Sequence, residues 1–429
     1  MAEAVVVLRG GTVFDATGER RADVVVEGQR IVAVEEGVPV PRGATVLDAG
    51  GCVVAPGLVD LHCHLRQPGA EGSETIESGA RAAALGGYTA VVAMPNTDPP
   101  IDSASVVRDV RSLASGVPCH VAVAGAITVG RAGERLAPMA ELAELGVRLF
   151  TDDGTGVQSA SLMRRALLYA GGLGVTLAQH CEEASLAEGG VMHEGAVSSR
   201  LGLAGVPALA EELMVARDLA LVRETGARLH FLHLSTAAAL DAVARAKGVG
   251  LPVTAEVAPH HFTLTDDALL GFDPVFKVSP PLRPEGDVAA VRAALADGTV
   301  DAIATDHAPH PPEAKDRPID EAPPGMVGLE TALALAMTEL EVPLHRVLAL
   351  LSWQPAAIAG LAPDHGGPIA PGAAANLCVI DPARPWVVDP AALASRSRNT
   401  PYAGRRLSAK VRHTVLAGEP VVVDGQAQR

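Results

Sequence analysis

Cysteine is scarce and unpatterned. The 429 residues hold five, Cys52, Cys63, Cys119, Cys181 and Cys378, an odd number with no C-x-x-C pair. That is a poor disulfide framework and suits a reducing cytosol, so a cytoplasmic location is expected. Positive charge is also short: 34 Lys and Arg stand against 50 Asp and Glu, a formal net charge of -16. This argues against nucleic acid or an anionic membrane as the main partner. A small anionic substrate remains compatible, because a few local Arg can outweigh the global field. No stretch approaches the roughly 18 apolar residues of a membrane span. Residues 1–9 lack the basic start and long apolar stretch of a signal peptide. Aromatics make up only 3%, yet 48% of the chain is apolar. A sizeable core is feasible, in a length that fits one large barrel plus a smaller domain.

One stretch organises what is present. Asp60-Leu-His62-Cys-His64-Leu-Arg66 follows the apolar run Val53-Val-Ala-Pro-Gly-Leu-Val59. In a strand, residues two apart point to the same side. His62 and His64 therefore project together and can grip one metal ion. Arg66 is expected to continue that face and offer a planar fork to a carboxylate. Cys63 is expected to face away as a small buried hydrophobe. An isolated H-x-H is more often two ordinary histidines, but here four more candidate ligands follow, each after its own apolar run.

From about residue 56, β-branched apolar runs alternate with Ala/Leu-rich amphipathic stretches. The predicted strands are 58–62, 90–94, 120–124, 147–151, 175–179, 229–232, 253–257 and 302–305. Helices are predicted between them, as at 77–85, 161–169, 209–224 and 237–246. Eight β-then-α units imply a parallel sheet, and eight is the number that closes a barrel. An open doubly wound sheet is the alternative, but no G-x-G-x-x-G follows the first strand. Short strands are predicted at 4–8, 22–26, 30–34 and 45–48, and again at 375–380, 386–388, 411–416 and 419–423. The expected fold is α/β: a (β/α)8 TIM-like barrel over 56–362, with a small β-sandwich domain built from both termini, 1–55 and 363–429. The Pro-rich segment 307–325 reads as a loop over the barrel mouth.

Polar residues cluster just past the apolar runs, where parallel barrels place their active sites. They include His62, His64, Asn96, Asp152, Asp153, His180, His233, His260, His261, Asp306 and His307. Among them His62, His64, Asp153, His180, His233 and Asp306 offer imidazole and carboxylate donors suited to zinc, with manganese, iron or cobalt as alternatives. Six donors exceed what one tetrahedral ion needs and fit two ions. His120, His193, His345, His365 and His413 read as ordinary histidines.

The motif Pro56-Gly-Leu-Val-Asp-Leu-His-Cys-His-Leu-Arg66 resembles the dihydroorotases of the type I bacterial branch, within the amidohydrolase superfamily. Ala93-Met-Pro-Asn-Thr97, Phe150-Thr-Asp-Asp-Gly154, Gln179-His-Cys-Glu182 and His230-Phe-Leu-His-Leu-Ser235 are similar to its later motifs. So are Thr305-Asp-His-Ala-Pro-His310, with Glu313 and Lys315, and Asn399-Thr-Pro-Tyr402. The resemblance covers nearly the whole chain. It implies interconversion of N-carbamoyl-L-aspartate and (S)-dihydroorotate in pyrimidine synthesis, with two zinc ions per subunit sharing a hydroxide. His62, His64 and Asp306 would hold one ion, His180 and His233 the other, and Asp153 would bridge them. Asp306 would also be the catalytic proton shuttle. His64, Arg66, Asn96, Ser279, His310, Pro324 and Gly325 would form the substrate site. Three positions depart from the family pattern: Gln67 replaces an acidic residue, Ser279 an Asn and Pro324 a Phe. These departures bear on substrate affinity rather than reaction class.

Two rival readings follow from the same resemblance. A hydantoinase, dihydropyrimidinase or allantoinase would open similar rings, usually with a carboxylated lysine between the metals; here Asp stands at that strand end. A non-catalytic scaffold for aspartate carbamoyltransferase would be expected to lose metal ligands, and all six are kept. The expected partner is the small-molecule substrate; a homodimer and an association with aspartate carbamoyltransferase are the further candidates.

Overall fold

The computed structural model describes residues 4–429; the first three residues of the 1–55 segment lie outside them. Eight parallel strands follow the predicted apolar runs. They are β1 (Leu58–Cys63), β2 (Tyr88–Ala93), β3 (His120–Val123), β4 (Leu149–Thr151), β5 (Thr176–Gln179), β6 (Leu229–Phe231), β7 (Val253–Val257) and β8 (Ala302–Ile303). One sheet runs in the order β3-β2-β1 and another β4-β5-β6-β7-β8. Parallel bridges join them at both margins, Gly125 to Phe150 and Cys63 to His307. The chain is thus an α/β protein built on parallel sheets.

Both faces of these strands carry buried apolar clusters, as expected of parallel sheets covered on each side. Leu61, Val92, Ala124, Leu149, Ala178, Leu232 and Ala302 form one buried cluster of mostly small side chains. A larger core, including Val91, Val121, Phe150, Leu177, Phe231 and Val253, packs the other face against helices. Cys63 lies in that larger core, turned from the histidines beside it.

Local signals start and stop the helices. Thr75 caps Ile76–Leu85 in a reciprocal arrangement with Ser78. Thr236 caps Ala237–Gly248, accepting from Ala239 N. Gly174, at φ 68°, ends Ala160–Leu173 in the left-handed conformation glycine tolerates.

The chain ends meet in a seven-stranded sheet. Val53–Pro56 pairs with Leu377–Asp381 on one side and with Thr12–Asp15 on the other. A second core joins Val6, Leu8, Val24 and Val54 to Leu377, Val379 and Val415. The strands Thr12–Asp15 and Gly18–Arg21 were not legible as strands; they gain their partners from Val53–Pro56 and from each other. Segment 307–325 carries one short helix, Pro312–Lys315.

Candidate metal centre

All six candidate ligands converge at the carboxyl ends of the strands. Two sets of three donors form, His62 with His64 and Asp153, and Asp153 with His180 and His233. Asp153 belongs to both. Its Oδ2 lies 3.4 Å from His62 Nε2 and 3.5 Å from His64 Nε2. Its Oδ1 lies 3.5 Å from His180 Nδ1 and 3.4 Å from His233 Nε2. Asp306 Oδ1 is 3.3 Å from His64 Nε2 and 3.6 Å from His62 Nε2. Asp152 turns away and accepts from the backbone N–H groups of Ile127 and Thr128 at 2.8 and 3.0 Å.

These separations fit a divalent metal. They are long for hydrogen bonds, yet two ligand atoms each about 2.1 Å from a shared tetrahedral ion lie about 3.4 Å apart. His62 Nε2, flanked by Asp153 and Asp306, is buried without any hydrogen-bond partner. Burial alone would raise the Asp153 carboxyl, but His62, His180 and His233 hold it well below the usual range. Burial likewise opposes ionisation of Asp306, and His64, His62 and His233 outweigh it. The two carboxylates thus sit where positive charge is favoured.

The centre forms the floor of a cleft of about 460 Å³, whose walls include Arg66, Asn96, Glu182, Ser279, His310, Pro324 and Gly325. His62 is fully buried behind it. Asn96 Oδ1 contacts His64 Nδ1 at 2.9 Å. Arg66 Nε donates to Pro309 O at 3.3 Å, and its terminal nitrogen lies 3.4 Å from His310 Nε2. His310 Nε2 donates to Pro324 O at 2.8 Å. Burial, with Arg66 and Lys315 alongside, lowers His310 to about 3, so its ring is neutral near pH 7. Gly325 has φ 133°, and a Cβ there would lie 2.7 Å from Ala308 Cβ and 3.0 Å from His310 Nε2. Only glycine lets this backbone approach so closely.

Arg66 reaches the cleft by a different route from the one the alternation predicts. The strand ends at Cys63, and Arg66 sits in a turn with φ 60°. His233 and Asp306 share this left-handed backbone, at φ 31° and 45°. Gln67 does not face the cleft; its Oε1 accepts from Ile76 N at 3.0 Å, at the start of a helix.

Residues 51–239 match the family model described as Dihydro-orotase-like. The dihydroorotase of Pelotomaculum thermopropionicum is 50% identical over 424 residues, covering 97% of this chain and 98% of its own. That of Streptomyces coelicolor is 49% identical over 427 residues, 98% of each. The chain belongs to the dihydroorotase family. It is therefore an enzyme of the cyclic amide hydrolase class. Its fold is that of the L-hydantoinase (dihydropyrimidinase) from Arthrobacter aurescens, with a TM-score of 0.89 at 23% identity over 100% of this chain and 98% of that one.

Within this dihydroorotase-family site, residue-level reasoning missed three supports. Glu256 and His230 are buried behind His62. Asn399, in the tail motif, accepts from His310 N at 3.1 Å and donates to Ala308 O and Gly325 O at 3.0 and 3.1 Å. A glutamate inside the apolar run Val253–Val257 was the available signal for the first. Among the described residues, no helix is long and apolar enough to cross a membrane.

Proposed function

We propose that this chain interconverts N-carbamoyl-L-aspartate and (S)-dihydroorotate in pyrimidine synthesis. One observation carries the reading: the Arg66 guanidinium lies on the wall of a cleft lined by His64, His180, His233, Asp153 and Asp306, with His62 buried behind them. A substrate that presents a carboxylate beside a cyclic amide needs both. His62, His64 and Asp306 would hold one zinc-type ion, His180 and His233 the other, with Asp153 shared. When bound, such ions supply Lewis acidity and an activated water.

The protein's own groups do the rest. Arg66 binds the substrate carboxylate as a planar fork, with Asn96 and the neutral His310 beside it. Ser279, Pro324 and the backbone of Gly325 border the ring. In ring opening the Asp306 carboxylate accepts a proton from the attacking water and delivers it to the leaving ring nitrogen. Segment 307–325 contributes Ala308, His310, Pro323, Pro324 and Gly325 to the cleft wall.

The finer architecture belongs to the same reading. A closed (β/α)8 barrel over 56–362 is supported by the bridges at both sheet margins. A β-sandwich from 1–55 and 363–429 is supported by the core both ends share. Five free, buried cysteines support a cytoplasmic location. Asp153 speaks against a hydantoinase with a carboxylated lysine. Lys277, on the cleft wall, turns its amine to Ile319 O and Asp320 O at 2.7 and 3.2 Å.

The test is an assay of purified protein on dihydroorotate, hydantoin and allantoin, with metal analysis of the same sample. Hydrolysis of dihydroorotate alone is expected, with about two ions per chain. Preference for hydantoin or allantoin would overturn the proposal.

A further inference from the structure

Behind His62 lies a polar chain with no exposure to solvent. His62, His230 and Glu256 are all 0% exposed. Glu256 Oε1 is 3.0 Å from His62 Nδ1, and Glu256 Oε2 is 3.0 Å from His230 Nε2. His230 Nδ1 is 2.8 Å from Thr254 Oγ1, its neighbour across the parallel pairing of β6 and β7. Among the described residues, Glu256 forms ion pairs with no Lys or Arg, only with these two rings.

An ionised carboxylate only accepts hydrogen bonds. Both facing ring nitrogens must therefore donate. His62 is thereby fixed as the Nδ1–H tautomer, with its lone pair on Nε2. That nitrogen is the unpartnered one between Asp153 and Asp306. His230 carries its proton on Nε2, and its Nδ1 accepts from the Thr254 hydroxyl. One proton arrangement thus satisfies every contact from His62 Nδ1 through Glu256 and His230 to Thr254. Without Glu256, the competing tautomer of His62 would aim Nε2–H at Asp153 and Asp306 and block a metal there.

We infer that Glu256, braced by His230, is a positioning residue that holds His62 in its metal-binding tautomer. Its main-chain carbonyl also accepts from Leu234 N at 2.9 Å, so the same residue steadies the turn that carries His233. The inference rests on the metal-centre reading above.

The test is zinc titration of stripped full-length protein against a competing chelator, wild type beside Glu256→Gln. An amide has one acceptor and one donor group, so it cannot accept from both rings. The variant is expected to bind one of the zinc ions about 10–100-fold more weakly. Its kcat should fall while KM for dihydroorotate stays near wild type. The melting curve of the zinc-free form should be little changed, which a purely structural role would not give. Wild-type zinc affinity in folded Glu256→Gln overturns the inference. If that variant does not fold, Glu256→Asp keeps the charge but withdraws the oxygens by one methylene. Unchanged zinc affinity there overturns it equally. A wild-type chain that takes up no zinc overturns the metal-centre reading itself.

Discussion

Asp60 and Thr305, 245 positions apart in the chain, are joined twice. Thr305 N donates to Asp60 Oδ1 at 2.8 Å, and Thr305 Oγ1 donates to Asp60 Oδ2 at 2.5 Å. Asp60 stands two residues before His62, and Thr305 one before Asp306. The pair sets the first and last parallel strands in register, and with them two of the proposed metal donors. His307 continues the seam: its N donates to Thr305 Oγ1 at 3.1 Å, and its O accepts from His64 N at 2.9 Å.

Thr305→Val keeps the shape but leaves a buried Asp60 oxygen without its hydroxyl donor. A loss of about 1–3 kcal/mol is expected in denaturant unfolding, with lower zinc occupancy. Wild-type stability would show that the seam carries little of the register.

Asp306→Asn should lower turnover by about 10²-fold or more, because the amide cannot carry the proton. Metal content is measured on the same sample, since Asp306 is also a proposed donor. Near wild-type turnover would remove it from the proton path.

Arg66→Lys replaces a fork by a point charge. Dihydroorotate kcat/KM should fall by at least about 10-fold, the loss of one charge-assisted hydrogen bond, while zinc content holds. Unaltered kinetics would make Arg66 a support for loop 307–325 through Pro309 alone.

Asp153→Ala should lose metal and activity together. Asp152→Ala should keep metal but lose about 1–3 kcal/mol of stability in denaturant unfolding, having left the Ile127 and Thr128 N–H groups unpaired. Zinc reconstitution should proceed equally with and without bicarbonate. A strict bicarbonate requirement would point to a carboxylated lysine.

Asp218 is one source of pH dependence, beside Asp60 and Glu330, whose burial raises each to about 7. Asp218 is 0% exposed, and burial raises its carboxyl to about 6 despite its pair with Arg217. Between about pH 4 and 6 the folded chain keeps a proton that the unfolded chain has released. Stability is therefore present at the acid end of that window and lost as pH rises through it. The loss is on the order of 3 kcal/mol. Asp218→Asn should reduce this slope in melting curves from pH 4 to 6; an unchanged slope would assign it to the other buried carboxyls.

Much of this was legible in the sequence, because its signals are local. Eight β-branched runs became eight strands, and the candidate donors sit at or just past strand ends, where a parallel sheet gathers them. Asp152 and Asp153 separate as adjacent residues must. What was not legible depends on partners far away in the chain. Arg66 gets its aim from a left-handed turn beyond the strand, not from the alternation. Glu256 reads as one polar residue in a buried strand until His62 and His230 are set against it. Asn399 acts on a loop some 75 to 90 residues earlier. Gly18–Arg21 is too polar to announce a strand and forms one by pairing with Thr12–Asp15.

The left-handed backbone at Arg66, His233 and Asp306 sets a hazard for anyone improving this enzyme. Each such position opposes folding by about 1–3 kcal/mol, a burden the surrounding hydrogen bonds must outweigh. Glycine would relieve it at all three. A screen ranked by melting temperature alone would thus be drawn to the residues proposed to bind substrate and metal, and would yield hardier proteins at the expense of that site. Durability and activity compete here at identified peptide units, so thermal selection has to be paired with turnover at every round.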